Sequence, residues 1–310
     1  MPIKIPESLP AFSELEKENI FVMDEKRAFT QDIRPLRIAI LNLMPTKFQT
    51  EIQLMRLLSN TPLQIDITLV RPSNHVSKNT SLEYLNRFYR KFSEIEDQNY
   101  DGLIITGAPV ELIDYEEVDY WDELCRIFDW AESHVFSTMY ICWAALAGLY
   151  HRYGIKKEIL PEKRSGIFEY RNNLPMDPLM RAIDTRFMMP QSRNATVDPE
   201  EVSRLKGVRI AASSADGDIG IAISDLGDVF ITGHLEYDRD TLDTEYIRDL
   251  NKGMNPHKPT NYYDSDDRPD LKWRCYATMI FTNWINYYVY QRTPYDIRDV
   301  SKFRGLKRNE

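Results

Sequence analysis

A series of short apolar runs, separated by stretches with helical spacing, places the strongest constraint on the fold. Residues 37–44 read Arg-Ile-Ala-Ile-Leu-Asn-Leu-Met, and further apolar runs lie at 102–106 and 135–141. Runs of this kind are typical of strands buried on both faces of a parallel sheet. Alternating apolar residues predict one more strand over 63–69, and helical spacing predicts helices over 52–58, 80–95, 124–131 and 144–153. The order of these elements indicates an α/β fold with a mostly parallel sheet flanked by helices.

The second half of the chain is less regular. Strands are predicted over 208–214, 219–224 and 228–232, and helices over 240–250 and 278–290. The last of these is rich in aromatic residues, which suit either a core or a homodimer interface. No Gly/Ser-rich linker divides the 310 residues, so we expect one domain over 1–300. Within it, the Pro- and charge-rich residues 1–35 are expected to form an irregular arm, and residues 301–310 follow as a charged tail.

Charge and cysteine content exclude several classes of protein. The formal charge is 39 − 48 = −9, which argues against a nucleic-acid-binding face and a polybasic membrane anchor. Cys125, Cys142 and Cys275 share no C-x-x-C spacing, so neither a disulfide framework nor a metal site is expected. The N-terminal sequence lacks the apolar core of a signal peptide, and the longest nearly apolar run, 135–150, is too short to span a bilayer. We therefore expect a cytoplasmic protein without metal, nucleic-acid or membrane partners.

Chemically capable side chains follow several of the predicted strands. Lys47 follows the first, Glu111 the strand at 102–106, Cys142 the strand at 135–141 and His234 the strand at 228–232. Ligands of α/β sheets bind beyond the carboxyl ends of the strands. Residues far apart in sequence would therefore converge at one edge of the sheet.

Cys142 stands where a strand turns directly into a helix. A thiol at a helix N-terminus faces the positive end of the helix dipole, which lowers its pKa and favours the thiolate. The backbone N–H of Trp143 would then be placed to donate to an oxyanion. The alternative is a buried cysteine that packs as a small apolar side chain.

His234 and Glu236 form an H-x-E motif after a later strand. Side chains at positions i and i+2 of a strand share a face, so the carboxylate can hold one imidazole nitrogen while the other acts as base and acid. Combined with Cys142, the motif predicts a Cys–His–Glu triad. The alternative is a surface histidine beside a glutamate.

The sequence also resembles the homoserine O-acyltransferases of methionine biosynthesis over roughly residues 1–297. The matching segments include LNLMPTKFQTEIQLMRLL, ITGAPVE, YICWAALAGLYHRYG, GHLEYDRDTLDTEY, NYYDSDDRP and NWINYYVYQRTPYD. The resemblance implies a class I glutamine amidotransferase-like, flavodoxin-like architecture. It also implies a ping-pong reaction in which Cys142 carries the acyl group as a thioester.

The resemblance assigns roles to individual residues. His234, oriented by Glu236, would deprotonate the acceptor hydroxyl, and Lys47 with the Trp143 N–H would face the oxyanion. The acceptor, L-homoserine, would be bound by residues at the family's binding positions, which are Lys163, Ser192, Arg193 and Arg248. Acetyl-CoA would enter as a co-substrate, with no bound cofactor.

Glu111 bears on the acyl donor. In the family, glutamate at the matching position goes with acetyl-CoA and glycine with succinyl-CoA. A carboxylate in the acyl pocket repels the free carboxylate of a succinyl group, which favours acetyl-CoA. A Glu111 side chain that points to solvent would select nothing, and succinyl-CoA would remain an alternative.

The chain departs from the family pattern near the expected acceptor pocket. Gln191 replaces a usual histidine, the turn 215–218 replaces a usual acidic-Ala-Gly turn, and Ala144 and Leu146 follow the cysteine. L-serine therefore stays open as the acceptor. A glutaminase of the parent superfamily and a non-catalytic binding protein also stay open as functions, and the glutaminase is expected to have glycine where this chain has Ala144.

Overall fold

The computed structural model describes residues 3–17, 22–23, 34–73, 75, 79–293 and 297–299, and its centre is one twelve-stranded sheet. The strands are β1 (Ile3–Lys4), β2 (Val22–Met23), β3 (Leu36–Leu41), β4 (Ile65–Arg71), β5 (Tyr89–Lys91), β6 (Tyr100–Ile105), β7 (Val135–Ile141), β8 (Lys157–Asn172), β9 (Arg186–Val197), β10 (Val208–Ser213), β11 (Ile219–Ser224) and β12 (Val229–Ile231). The α-helices are α1 (Pro10–Lys17), α2 (Lys47–Leu58), α3 (Leu82–Phe88), α4 (Trp121–His134), α5 (Trp143–Tyr153), α6 (Pro199–Ser203), α7 (Thr241–Asn251) and α8 (Arg274–Asn283).

The first part of the sheet is parallel. The order runs β2-β1-β4-β3-β6-β7-β12, with β5 also paired to β4, and each of these pairs is parallel. Every residue of β6 and β7 is buried, because helices cover both faces. The predicted α/β class is confirmed. The carboxyl ends of β3, β6, β7 and β12 lie at the same edge of the sheet, as expected for parallel neighbours.

The second part of the sheet is antiparallel and was only partly predicted. It continues from β12 through β11, β10 and β8 to β9. The long hairpin of β8 and β9 lies in the region 157–197, for which the sequence predicts no strand. Much of β8 is exposed or half-buried and carries Pro161 with several charges, so neither an apolar run nor a clean alternation marks it.

Two further expectations need correction. Residues 1–35 are not wholly irregular, because they contain α1, and Ala11, Phe12 and Leu15 of this helix are buried. The helix expected over 80–95 ends at Phe88, where the chain becomes β5. Residues 301–310 and much of the arm lie outside the described residues.

The aromatic C-terminal segment packs into the core. Helix α8 continues into a π-helix, Trp284–Tyr290, in which Trp284, Ile285, Tyr288 and Val289 are buried. The Trp284 indole N–H donates to Ser137 Oγ of β7 at 2.9 Å, which fixes the segment against the central strand. In the part of the chain described, no helix is both long enough and apolar enough to cross a membrane.

Candidate active site

Cys142 lies in a sharp turn between β7 and α5. Its backbone has φ 51° and ψ −118°, a conformation that costs a non-glycine residue energy. The Cys142 N–H donates to the Ile231 carbonyl at the end of β12 at 2.7 Å, so the turn is fixed to the neighbouring strand. This strained strand-to-helix turn places the thiol at the sheet edge, in the geometry of a nucleophile elbow.

Two glycines allow the surrounding loops to approach this turn. A Cβ on Gly107 would lie 3.2 Å from Cys142 Cβ and 3.4 Å from His234 Cε1. A Cβ on Gly233 would lie 2.5 Å from the Pro190 carbonyl oxygen, so any other residue there would push β9 away. The loops after β6, β7 and β12 therefore meet with the cysteine and the histidine in contact range.

His234 and Glu236 form a buried pair. Glu236 Oε1 lies 2.7 Å from His234 Nδ1, and the imidazole also hydrogen-bonds the Cys142 side chain. Because Nδ1 faces the carboxylate, Nε2 is the nitrogen left for the sulfur. The two residues follow β12 in a turn rather than lying in a strand, so the same-face argument does not apply, although the pairing it predicted is present.

The pKa values of Cys142 and His234 are both shifted, and the shift of the thiol differs from the expectation. Burial raises the pKa of Cys142, and the opposing effect of His234 does not reverse this. The lowered thiol pKa expected from the helix N-terminus is therefore wrong. Burial alone would lower the pKa of His234, but Cys142 and Glu236 outweigh it and hold that pKa well above its usual value. A thiolate here depends on its imidazolium partner and not on the helix alone.

Glu111 reaches the sulfur from the loop after β6. Its Oε1 lies 3.8 Å from Cys142 Sγ, and its Oε2 accepts from the Asn194 backbone N–H at 3.2 Å and from Asn194 Nδ2 at 2.8 Å. Glu111 is buried, so it does not point to solvent. Asn194, on β9, fixes the carboxylate beside the Cys142 sulfur.

Lys47 lies at the start of α2 and is buried. Its ammonium donates to the Asn42 carbonyl at 2.7 Å and to the Met44 carbonyl at 3.3 Å, and lies 5.7 Å from the centre of the Tyr89 ring. The ammonium is therefore held by the loop after β3, and among the described contacts it has none with Cys142.

Burial lowers the pKa of Lys47 to about 8, although Glu51, one turn along α2, opposes the shift. Glu51 is itself fully buried, and its two carboxylate oxygens accept from the hydroxyls of Tyr84 at 2.6 Å and Tyr89 at 2.5 Å. Burial raises the pKa of Glu51. Lys47, Glu51 and the two tyrosines therefore form a buried acid–base cluster at the start of α2.

Three of the predicted acceptor residues lie together. Lys163 Nζ lies 3.1 Å from Asp249 Oδ2 and 3.9 Å from Glu245 Oε2. Ser192 Oγ donates to Glu245 Oε2 at 2.5 Å, and Arg248 Nε donates to Asp249 Oδ1 at 2.8 Å. Burial opposes ionisation of Asp249, but Arg248 and Lys163 outweigh it and lower its pKa. We call these five residues the mixed-charge cluster.

Among the described residues, no group of three or more histidine, cysteine or acidic side chains could hold a metal ion.

Comparisons with known proteins agree with this arrangement. A family model described as homoserine O-succinyltransferase matches residues 2–295. The chain belongs to the homoserine O-succinyltransferase family. A homoserine O-acetyltransferase of Methanomethylophilus alvi is 56% identical over 97% of this chain and 99% of its own length. A homoserine O-acetyltransferase of Lachnospira eligens is 54% identical over 96% and 98%, and a homoserine O-succinyltransferase of a Shewanella strain is 50% identical over 97% of both.

Solved structures with the same fold come from another group of proteins. A glutamine amidotransferase from Thermotoga maritima aligns with a TM-score of 0.56 at 9% identity, covering 83% of this chain and all of that one. A glutamine amidotransferase from Methylobacillus flagellatus gives a TM-score of 0.52 at 10% identity, covering 82% and 95%. The class I glutamine amidotransferase-like architecture is thereby confirmed, whereas similarity this low carries nothing about activity.

In this member of the family, Arg193 lies apart from the mixed-charge cluster. Neighbouring residues of a strand face opposite ways, so Ser192 and Arg193 diverge on β9. Arg193 is buried and donates to Gln191 Oε1 at 2.9 Å, to the Ala195 carbonyl at 2.6 Å and to Asp218 Oδ1 at 2.5 Å. The structure therefore does not bring Arg193 together with Lys163, Ser192 and Arg248. Arg193 thus hydrogen-bonds Gln191 and Asp218. Both belong to segments where the sequence departs from the family pattern.

The sequence interpretation missed the carboxylates and the asparagine that complete the site. Asn194 stands two residues after Ser192, and Glu245 and Asp249 lie one turn apart on α7. Their helical spacing was visible, but without the β8–β9 hairpin no pattern connected them to Lys163. The completed arrangement offers a nucleophile, an acid–base pair and a cluster of both charges.

Proposed function

We propose that the chain is a homoserine O-acetyltransferase, which transfers acetyl from acetyl-CoA to the hydroxyl of L-homoserine through an acyl-thioester on Cys142. Residues 1–300 would act as one cytoplasmic domain in the first committed step of methionine biosynthesis. Relatives at 54–56% identity carry this name. The observation that carries the chemistry is the contact of Cys142 with a histidine that Glu236 holds.

The first half-reaction loads the enzyme. The Cys142 thiolate, paired with the His234 imidazolium, attacks the thioester carbon of acetyl-CoA, and the carbonyl oxygen becomes an oxyanion. The Trp143 N–H at the start of α5 and the Lys47 ammonium would stabilise the negative charge on this oxygen. Collapse expels the CoA thiolate, which takes the proton from His234 and leaves an acetyl-enzyme with a neutral imidazole.

The second half-reaction transfers the acetyl group. His234 removes the proton from the acceptor hydroxyl, whose oxygen attacks the acetyl-thioester, and Cys142 leaves as a thiolate beside the new imidazolium. The mixed-charge cluster suits the acceptor, because a zwitterionic amino acid presents one carboxylate and one ammonium. Lys163 and Arg248 supply cations, and Glu245 and Asp249 supply anions.

The assignment of Lys47 leads to an expected pH dependence. With a pKa of about 8, Lys47 loses its charge at a pH far below 10.5, the usual pKa of lysine. Acetyl-enzyme formation should therefore decline as the pH rises through about 8. Lys47→Arg keeps the charge, since arginine stays protonated, and should move this decline to higher pH. Rapid-quench rates of acetyl-enzyme formation, taken in steps of about half a pH unit from about 6.5 to about 9.5, measure this decline. A decline at the same pH in Lys47→Arg would assign it to another group.

Glu111 decides between donors that sequence identity leaves open. Relatives named for acetyl and for succinyl transfer match this chain at 56% and 50% identity. Glu111 Oε1 lies 3.8 Å from the sulfur that receives the acyl group, and Asn194 holds the carboxylate in place. The distal carboxylate of a succinyl group would enter beside a like charge in a buried site, at a cost on the order of several kcal/mol.

Glu111→Gly is expected to raise the use of succinyl-CoA relative to acetyl-CoA by about 10- to 100-fold, because it removes both the charge and the bulk. Glu111→Gln removes the charge alone, so it should give part of this change if repulsion matters. The ratio of kcat/KM for the two donors measures the effect. The exposed Glu117→Gly, in the same loop, is the control and should leave the ratio as it is. An unchanged ratio in Glu111→Gly would remove this residue from donor selection.

A donor and acceptor panel tests the proposal as a whole. Purified enzyme with acetyl-CoA or succinyl-CoA is combined with homoserine, serine or glutamine, and CoA thiol release is followed. The proposal requires that, of all the combinations, acetyl-CoA with homoserine gives the highest kcat/KM. Preference for serine or succinyl-CoA would correct the substrate, and ammonia release from glutamine without any CoA ester would favour a glutaminase. Absence of an acetyl-enzyme by mass spectrometry would favour a binding protein.

A further inference from the structure

Tyr237 lies flat against the imidazole of His234. The ring centres are 4.1 Å apart and the planes differ by 19°. Tyr237 is buried, and its backbone is fixed at both ends, because its N–H donates to the His234 carbonyl at 3.3 Å and its carbonyl accepts from Trp273 Nε1 at 3.1 Å. The aromatic ring is therefore held in place independently of its own hydroxyl.

The hydroxyl of Tyr237 points away from the imidazole to the mixed-charge cluster. It donates to Glu245 Oε1 at 2.8 Å, while Glu245 Oε2 accepts from Ser192 Oγ at 2.5 Å and lies 3.9 Å from Lys163 Nζ. One side chain thus contacts His234 with its ring and Glu245, a member of the mixed-charge cluster, with its hydroxyl.

The stack supplies a constraint that Glu236 does not. The hydrogen bond between His234 Nδ1 and Glu236 holds one edge of the imidazole, while rotation about the Cα–Cβ and Cβ–Cγ bonds can still tilt the other edge. Rotation would carry Nε2 away from Cys142 and from an acceptor hydroxyl. A ring packed at 4.1 Å against the face of the imidazole blocks this rotation.

We propose that Tyr237 is a positioning residue with two separable effects on acyl transfer: its ring fixes the plane of His234, and its hydroxyl fixes Glu245 for the acceptor. The proposal rests on the proposed acetyl transfer to an amino acid hydroxyl. The ring is needed in both half-reactions, since each uses His234, whereas the hydroxyl is needed only in the second, when the acceptor occupies the cluster.

Two substitutions separate these effects. Tyr237→Leu removes the ring and the hydroxyl, so acetyl-enzyme formation and transfer to homoserine should each fall by about 10- to 100-fold, as expected when a reacting group is misplaced by about 1 Å. Tyr237→Phe restores the stack and should recover most of the acetyl-enzyme rate lost in Tyr237→Leu. It leaves Glu245 without one donor, so kcat/KM for homoserine should stay about 10-fold or more below wild type.

Rapid-quench measurement of each half-reaction provides the readout, with acetyl-CoA alone for the first and isolated acetyl-enzyme plus homoserine for the second. Tyr262→Phe is the matched control. Tyr262 is a fully buried tyrosine whose hydroxyl accepts from the Asp243 N–H at the start of α7 and donates to the Arg239 carbonyl, without touching Glu245 or His234. It should change neither half-reaction by more than about threefold, because its hydroxyl bonds backbone groups and no side chain of the mixed-charge cluster.

The outcomes separate the two proposals. Equal losses in both half-reactions for Tyr237→Phe, or an equal acceptor defect in Tyr262→Phe, would overturn the positioning role while acetyl transfer stands. The same holds if Tyr237→Phe is indistinguishable from wild type. Should Tyr237→Leu fail to fold, the half-reaction split in Tyr237→Phe still decides. Absence of an acetyl-enzyme in the wild-type protein would instead remove the proposed function itself.

Discussion

Cys142→Ser is expected to lower acetyl transfer by at least about 10³-fold, with the fold intact. Serine occupies nearly the same volume, so the buried turn at φ 51° accommodates it. Its hydroxyl is far harder to ionise than a thiol, in a site where burial already raises the pKa of the thiol. Any ester formed on serine would also be less reactive toward homoserine than a thioester.

Mass spectrometry after incubation with acetyl-CoA alone gives the most direct measurement. Wild type should gain one acetyl group and release CoA, whereas Cys142→Ser and Cys142→Ala should do neither on the same time scale. Cys125→Ser and Cys275→Ser are matched controls, because these half-buried and exposed cysteines lie outside the site, and both should acetylate Cys142 normally. A Cys142→Ala enzyme, which has no nucleophile at this position, with activity within tenfold of wild type would exclude the covalent route.

The parallel part of the fold was predictable because burial on both faces leaves a simple trace in the sequence. Helices cover both faces of β6 and β7, so every residue there is buried and an uninterrupted apolar run results. The β8–β9 hairpin leaves no such trace, since its partners lie on one face and water on much of the other. The irregular arm was mispredicted for a related reason: α1 is short, and its apolar positions are few.

The site was predictable where a residue follows a strand directly. Cys142 and the pair His234 and Glu236 follow β7 and β12, which are parallel, so their position after a strand was enough to place them at the same edge of the sheet. Asn194, Glu245 and Tyr237 could not be inferred in this way. Each acts through a contact across the hairpin or α7, and such contacts depend on the register of the antiparallel half.

The thiol pKa shows a different limit of sequence reasoning. Position at a helix N-terminus is visible in the sequence and predicts stabilisation of a thiolate. The extent of burial is not visible, and in the folded chain burial raises the pKa of Cys142. The thiolate therefore depends on charge supplied by other residues, and Glu236 holds the negative charge that stabilises the imidazolium.

Glu236→Gln is expected to lower turnover by about 10³-fold, because it removes the charge that stabilises the His234 imidazolium and holds its tautomer. Glu236 and His234 are both buried and 2.7 Å apart, so solvent screens the interaction little. The pKa of His234 should fall in the variant, and the thiolate loses its counter-ion. Gln has the same shape, so the temperature of unfolding should change little.

The pH dependence of the loss distinguishes this mechanism from simple disruption. As the pH approaches the raised pKa of the thiol, Cys142 ionises without help from the imidazole, and acetyl-enzyme formation in Glu236→Gln should recover relative to wild type. Transfer to homoserine still needs a base held in the right tautomer and should stay low. The decline assigned to Lys47 affects both proteins and cancels in their ratio.

Glu123→Gln is the matched control for this experiment. Glu123 is also buried, and, as in Glu236, one carboxylate oxygen has a partner, the Ser73 N–H at 2.8 Å, while the other finds no hydrogen-bond donor among the described residues. It lies on α4, and its substitution should leave both half-reactions within about threefold of wild type. Normal kinetics in Glu236→Gln, or a loss independent of pH and equal in both half-reactions, would show that this carboxylate does not set the protonation of His234.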